Sequence, residues 1–243
     1  MRRFPVGLTL AALLALGALI SLGVWQLNRL AETTRNRERI AALSSAPAVP
    51  LARLFATTGP LDLDHRRIVV DCQPTRTATP IVYRYAIADG VVSWRLLTMC
   101  ALSGGPFDGI LLDRGLVTTL SGVMTPNAMR FPEPATVIGV SRVLGGAPLF
   151  GDSMPSGVSG ITLLRVLDPR AVGRVAQLAG LSRPAPYYLV VESERPAVAG
   201  VKPSPVVEDV PRDNFGYALT WFGLAGALAC VYAAFLWRRL SSR

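Results

Sequence analysis

The chain has 243 residues, 51% of them hydrophobic and only 17% charged, a composition that excludes an intrinsically disordered protein. The balance is basic, 25 Lys and Arg against 16 Asp and Glu for a formal +9 at neutral pH, yet Lys202 is the only lysine and His65 the only histidine. One histidine cannot make a His-pair metal site, a Ser-Lys dyad would have to use Lys202, and Cys72, Cys100 and Cys230 are too few and too scattered for a disulfide scaffold or a zinc site.

The apolar excess sits at the two ends. Residues 4–27 carry no charge and exceed the roughly 20 residues that take an α-helix across ~30 Å of hydrocarbon. Arg2 and Arg3 before them also suit a secretory signal, but the run continues through Gly23, Val24 and Trp25 without a small-x-small cleavage site, which favours an uncleaved anchor. Residues 28–43 lack Gly and Pro and are rich in helix formers, so they are expected to extend the first helix until Ser44, Ser45, Pro47 and Pro50 stop it. Short β-branched or aromatic runs follow at Arg67 to Asp71, Ile81 to Ala88, Val91 to Ala101, Ile110 to Thr118, Thr136 to Val143, Ile161 to Leu167 and Tyr187 to Glu192. The runs on either side of Asp89-Gly90 read as a hairpin. One amphipathic helix is expected over Asp168 to Ala179, capped by Asp168, with Pro169 at its first position and Gly180 as its stop. Pro196 to Pro211 reads as an extended linker, residues 214–237 as a second uncharged span, and 238–243 as a short tail.

These elements predict a membrane protein of the α+β class: two transmembrane helices flanking a β-rich antiparallel domain, residues 28–213, built as a sheet or small barrel with one helix. Arg238, Arg239 and Arg243 follow the second span, while its other flank mixes both signs, which places both termini in the cytoplasm and the domain in the periplasm. Trp25, Tyr217 and Trp221 then fall near the outer membrane interface and Trp237 near the inner one.

Searches for catalytic chemistry return little. No nucleophile elbow, phosphate loop, dinucleotide fingerprint, zincin motif or C-x-x-C occurs. His65 and Lys202 read as solvated loop residues, and the acid pairs Asp62/Asp64 and Glu192/Glu194 as surface carboxylates. Met99-Cys100 offers two soft ligands but no second nearby thiolate, so a half-buried strand explains it better than copper. Cys72 and Cys100 can form a disulfide only if their strands are adjacent, which spacing does not decide. The arginines are spread through the middle domain without a basic helix, which argues against nucleic acid and leaves a solvated face, a membrane surface or an anionic partner. Small residues recur at fours along both spans, at Gly7, Ala11, Ala15 and Gly23 and at Gly223/Ala227 and Gly226/Cys230, a spacing that lets membrane helices approach closely.

Four segments resemble a known family. Leu22-Gly23-Val24-Trp25-Gln26-Leu27-Asn28-Arg29 resembles the L-G-x-W-Q-x-x-R signature of the surfeit locus protein 1 family, and Tyr217-Ala218-Leu219-Thr220-Trp221-Phe222 its Y-A-x-T-W-F signature. Ile110 to Val117, with Arg114 and Gly115, is similar to the family's V-L-V-N-R-G-W-V strand with Leu116 for its Trp, and Asp168 ends the segment where the family has an aromatic-rich stretch closing on Asp. The resemblance implies a bacterial inner-membrane assembly factor for haem-copper cytochrome c oxidase, not an enzyme. Such a factor assists haem a insertion or holds an early intermediate of the catalytic subunit, its partners being that subunit or haem a synthase. In the family a histidine commonly stands three residues before the Tyr-Ala; here that position is Asn214. If haem a is met there, Tyr217 is the nearby ligand type, Trp221 would pack the macrocycle and Arg212 would meet a propionate. On physical grounds alone Tyr217 and Trp221 read as interfacial anchors and Arg114 as a turn-proximal surface charge. The alternative function, from another class, is a two-span envelope sensor or ligand-binding protein that recognises a small anion in the periplasm.

Overall fold

A computed structural model describes residues 5–57, 63–75, 80–88, 91–117, 131–146, 156–158, 161–203 and 213–241. In chain order its elements are α1 (Val6–Ser45), β1 (Val49–Pro50), α2 (Leu51–Thr57), β2 (Arg67–Asp71), β3 (Val82–Ala88), β4 (Val91–Ala101), β5 (Gly109–Val117), β6 (Thr136–Val143), β7 (Ser156–Val158), β8 (Ile161–Leu163), α3 (Pro169–Leu178), β9 (Pro184–Arg195), β10 (Val201–Lys202) and α4 (Asn214–Ser241). They form two compact units: the chain ends, Met1–Ile40 with Glu208–Arg243, and the segment Ala41–Val207 between them.

Helix α1 runs unbroken for 40 residues, most of them in the first unit, so the polar segment after Leu27 does extend the apolar helix. Both α1 and α4 are long and apolar enough to cross a membrane. Asp213 caps α4: its Oδ1 accepts the Gly216 N–H at 2.8 Å, satisfying one of the donors that a helix N-terminus leaves open.

The second unit is a single sheet ordered β1-β2-β6-β9-β5-β4-β3-β8-β7, with β10 also on β5. The expected antiparallel sheet is instead mixed: β5/β9, β1/β2 and β3/β8 run parallel. Strand direction at β5/β9 follows from the long crossover between them, which includes α3. Parallel neighbours require such a connection, and no local pattern reports it. The hairpin is present, with Ala88 opposite Val91, although Asp89 and Gly90 lie outside the described residues. The expected strand Ile161 to Leu167 ends at Leu163, because Gly145 N–H bonds the Leu167 carbonyl and Asp168 already caps α3. The expected linker contains β10, where Val201 and Lys202 pair with Val117 and Leu116. A second helix, α2, follows directly on Pro50 and adds to the one expected.

Alternation along the strands sorts the core onto two faces. Ile110, Leu112, Tyr187, Leu189, Val137, Ile68 and Cys100 pack on one face with Leu51 and Leu54 of α2. Leu111, Tyr188, Val190, Leu97 and Met99 pack on the other, under Val172, Val175 and Ala176 of α3. β4 is eleven residues long; its first seven pair with β3, and Ala101 at its end accepts the Gln73 N–H at 2.9 Å. β2 and β4 are separated by three strands in the sheet order, so this bridge shows the sheet curling until its far members touch, with Cys72 and Cys100 disulfide-bonded beside it. Closing that loop restricts the unfolded chain by about 3–4 kcal/mol in the chain-entropy account.

β5 is buried on both faces and carries Asp113 and Arg114. Buried charge is costly unless paired. Arg95 Nε bonds both Asp113 oxygens, at 2.9 and 2.7 Å, and Arg114 Nε donates to Glu194 Oε2 at 2.8 Å while its Nη2 donates to the Pro132 carbonyl at 2.9 Å. Arg114 is thus an internal tie across β5 and β9, not the surface charge expected, and Glu194 is its buried partner. Asp113→Ala would take the bidentate carboxylate from the buried Arg95 guanidinium and is expected to destabilise the domain by about 3–5 kcal/mol. Arg29→Ala, which breaks an ion pair whose side chains are both more than half exposed, should change stability by less than about 0.5 kcal/mol. Thermal or denaturant unfolding followed by circular dichroism checks the contrast.

Candidate functional site

The signature residues fall into two groups, one on the helix pair and one in the domain. On α1 the less exposed positions include Thr9, Ala12, Leu16, Leu19, Gly23, Gln26 and Leu30; on α4 they include Asn214, Ala218, Trp221, Phe222, Ala225, Leu228 and Tyr232. Steps of three and four alternate along both helices, the repeat of helices that pack side by side along a narrow seam. Two contacts fix the pairing. A Cβ added to Gly23 would lie 2.6 Å from the Phe222 ring, so the glycine is the space that the ring occupies. The Thr9 hydroxyl meets the Tyr232 hydroxyl further along the seam. Gly23 and Phe222 belong to the two terminal signatures, so the first signature supplies a gap and the second the ring that fills it.

The small residues spaced at fours do not form this seam. Gly7, Gly223 and Gly226 have open space where a Cβ would stand, and Ala11, Ala15, Ala227 and Cys230 are exposed. A strict four-residue step drifts around the helix relative to a 3.5-residue seam, so only Gly23 of that series stays on it.

Other signature residues are distributed around the pair. Trp25 and Tyr217 are 57% and 59% exposed, Trp221 is half-buried, and Gln26 lies beside Gly23 on the seam. Arg29 is exposed and pairs with Glu32 at 3.4 Å; the Thr220 hydroxyl donates to the Gly216 carbonyl at 2.9 Å, one turn back. Asn214 is the first residue of α4 and is buried, whereas Arg212 lies outside the described residues.

A haem group fits this arrangement poorly. An amide at position 214 is not a haem-iron ligand, and Tyr217, the one ligand type beside it, points into the open. His65 sits in the other unit with Nδ1 3.0 Å from Asp64 Oδ2, and among the described residues no three His, Cys, Asp or Glu side chains group as metal ligands.

In the domain, the signature residues shape the backbone. Gly115 has φ +116°, and a Cβ there would fall 2.2 Å from the Lys202 carbonyl oxygen, so only glycine lets β10 close on β5. The Lys202 side of that contact is backbone. Asp168 is fully buried; its Oδ1 accepts the Ala171 N–H at 2.8 Å as the expected cap of α3. What sequence reading missed is the ionic interior around β5. Its one signal was an Asp-Arg-Gly triplet inside an otherwise apolar run, which in a strand buried on both faces demands charged partners from its neighbours.

Removing the Gly23 gap should loosen the pair. In a Cys230→Ser background, a Thr9→Cys/Tyr232→Cys pair should be joined by a short bismaleimide spacer, which takes up the length of the lost tyrosine side chain; Gly23→Leu should cut the yield several-fold, whereas Gly7→Leu, in open space, should leave it unchanged.

Comparison with known proteins follows the same span. The SURF1 family model matches residues 13–226, taking in both terminal signatures and the domain between them. Uncharacterized SURF1-like proteins of Mycobacterium bovis and Mycobacterium tuberculosis are each 25% identical over 217 residues, covering 88% of this chain and 77% of theirs. With most of its length matched and both signatures meeting on one helix pair, the chain belongs to the SURF1 family.

Proposed function

We propose that this protein is an inner-membrane assembly factor for haem-copper cytochrome c oxidase. It would hold an early intermediate of the catalytic subunit around the step of haem a insertion without itself ligating the iron. The observation that carries this reading is the α1/α4 pair, where the two family signatures interlock as Gly23 and Phe222 to make a two-helix anchor. An anchor of that kind meets a membrane subunit by helix packing, where small side chains allow close approach. The signature residues of the domain hold its shape through a buried ion pair, a positive-φ glycine and a helix cap, which suits a scaffold.

Placement follows from charge and redox chemistry. Arg238 and Arg239 in the last turn of α4 favour a cytoplasmic C-terminus, and the Cys72–Cys100 disulfide suits a domain in an oxidising compartment such as the periplasm. With two spans both termini are cytoplasmic. The catalytic subunit is the proposed partner, with haem a synthase the other membrane protein within reach of the same step.

Deleting the gene and recording reduced-minus-oxidised spectra of whole membranes tests the function. The haem a signal and oxidase activity should both fall; unchanged levels would overturn the proposal. A reporter enzyme active only in the periplasm, fused after Arg243, should be silent, whereas activity would reverse the topology.

A further inference from the structure

Around the curl of the sheet, from β2 through β6, β9 and β5 to β4, neighbouring strands are joined by ladders. Five residue pairs link β2 to β6, eight link β6 to β9, four link β9 to β5 and seven link β5 to β4. The seam that closes the curl, between β2 and β4, is built differently. Among the described residues its main-chain tie is the isolated bridge Gln73–Ala101, with one hydrogen bond of 2.9 Å. Two side-chain ties accompany it: the Cys72–Cys100 disulfide, and the ring of Phe55 on α2 set edge-on against Phe107 in the loop after β4, centroids 5.7 Å apart.

Each cysteine is held by its own side of the seam. The Cys72 N–H donates to the Ala135 carbonyl at 2.8 Å, just before β6, and Cys100 stands opposite Ile110 in the β4/β5 ladder. Cutting the disulfide therefore leaves both strands anchored, and leaves the seam itself with one backbone hydrogen bond and one ring contact. A lone hydrogen bond that water can replace contributes little, and segments with few contacts open locally before the fold does. Behind the seam lies apolar interior: Phe107 meets the Tyr187 ring edge-on at 6.0 Å, and Tyr187 is buried with Ile110, Leu112 and Leu189. The two sulfurs also differ in access, because Cys72 is half-buried and Cys100 only 2% exposed, so an external thiolate reaches Cys72 first.

We propose that the Cys72–Cys100 disulfide is a redox-sensitive clasp: a dithiol reductant opens the β2/β4 seam locally, and reoxidation closes it. One thiolate of the reductant attacks Cys72 Sγ, the bond between the two Sγ atoms breaks, and Cys100 leaves as a thiolate that takes up a proton. The second thiolate of the reductant then displaces Cys72, which is protonated in turn. The domain gains two electrons and two protons, and the reductant ends as its own disulfide. The seam parts and uncovers the aromatic interior while the β6/β9 and β5/β9 ladders persist. The clasp does not depend on the role in oxidase assembly.

Hydrogen–deuterium exchange of the full-length Cys230→Ser protein in an uncharged detergent, before and after dithiothreitol, tests it. Reduction should speed exchange at the Gln73 amide and through residues 102–108 by at least about tenfold and leave β6 and β9 unchanged, and reoxidation with diamide should restore the slow rates. No acceleration at the seam would overturn the clasp. Acceleration of equal size in β6 and β9 would overturn it too, since the bond would then be a brace for the whole domain. Maleimide labelling of the reduced protein gives a second readout: Cys100 should react within about threefold of the rate of Cys72, whereas a Cys100 that stays protected while Cys72 reacts would contradict an opened seam.

Discussion

β5 is enclosed on both faces and bonded along both edges, and it carries Asp113, Arg114 and Gly115 in sequence. A strand so placed must be matched by its neighbours residue by residue. Asp113 draws Arg95 from β4, Arg114 draws Glu194 from β9, and Gly115 leaves room for the Lys202 carbonyl of β10. Each of these is a long-range requirement on a different strand, and together they set which strands can lie beside β5. The parallel partner β9 then fixes the crossover, and the crossover places α3 over Leu111 and Tyr188. Breaking a buried pair costs more than forming it gains, because the orphaned charge stays inside. The ionic interior therefore enforces one strand arrangement more than it adds stability.

Local chemistry was legible in the sequence and long-range pairing was not. Asp168, Pro169 and Gly180 specify α3 within a dozen residues, and the helix-forming run after Leu27 specifies the extension of α1, because caps and propensities act over a single turn. The parallel β5/β9 pair, the return of β10 and the meeting of Gln73 with Ala101 depend on residues far apart in sequence. Arg114 was misread for a related reason: a charged residue in a strand is normally solvated, and only burial of both sheet faces turns it inward. The disulfide belongs to the same class, since Cys72 and Cys100 become neighbours only through the curl of the sheet.

The terminal signatures gain a physical meaning from the helix pair. Gly23 is required because a ring occupies the space beside it, and Ala218 and Ala225 continue the seam on either side of Phe222. Trp25 and Tyr217 face outward, where amphipathic rings suit the edge of a bilayer or a partner helix. Among the described residues, Gly23 and Gly115 leave room for a neighbour, Asp168 caps a helix and Arg114 pairs across the sheet.

The proposed scaffold role, without ligation of haem iron, is most exposed to test at position 214. Haem content of the protein purified from cells making haem a, read from the Soret band against protein concentration, decides it. The account predicts well under one haem per chain, with Asn214→His raising the value. Stoichiometric haem in the natural sequence that survives Tyr217→Phe would contradict it.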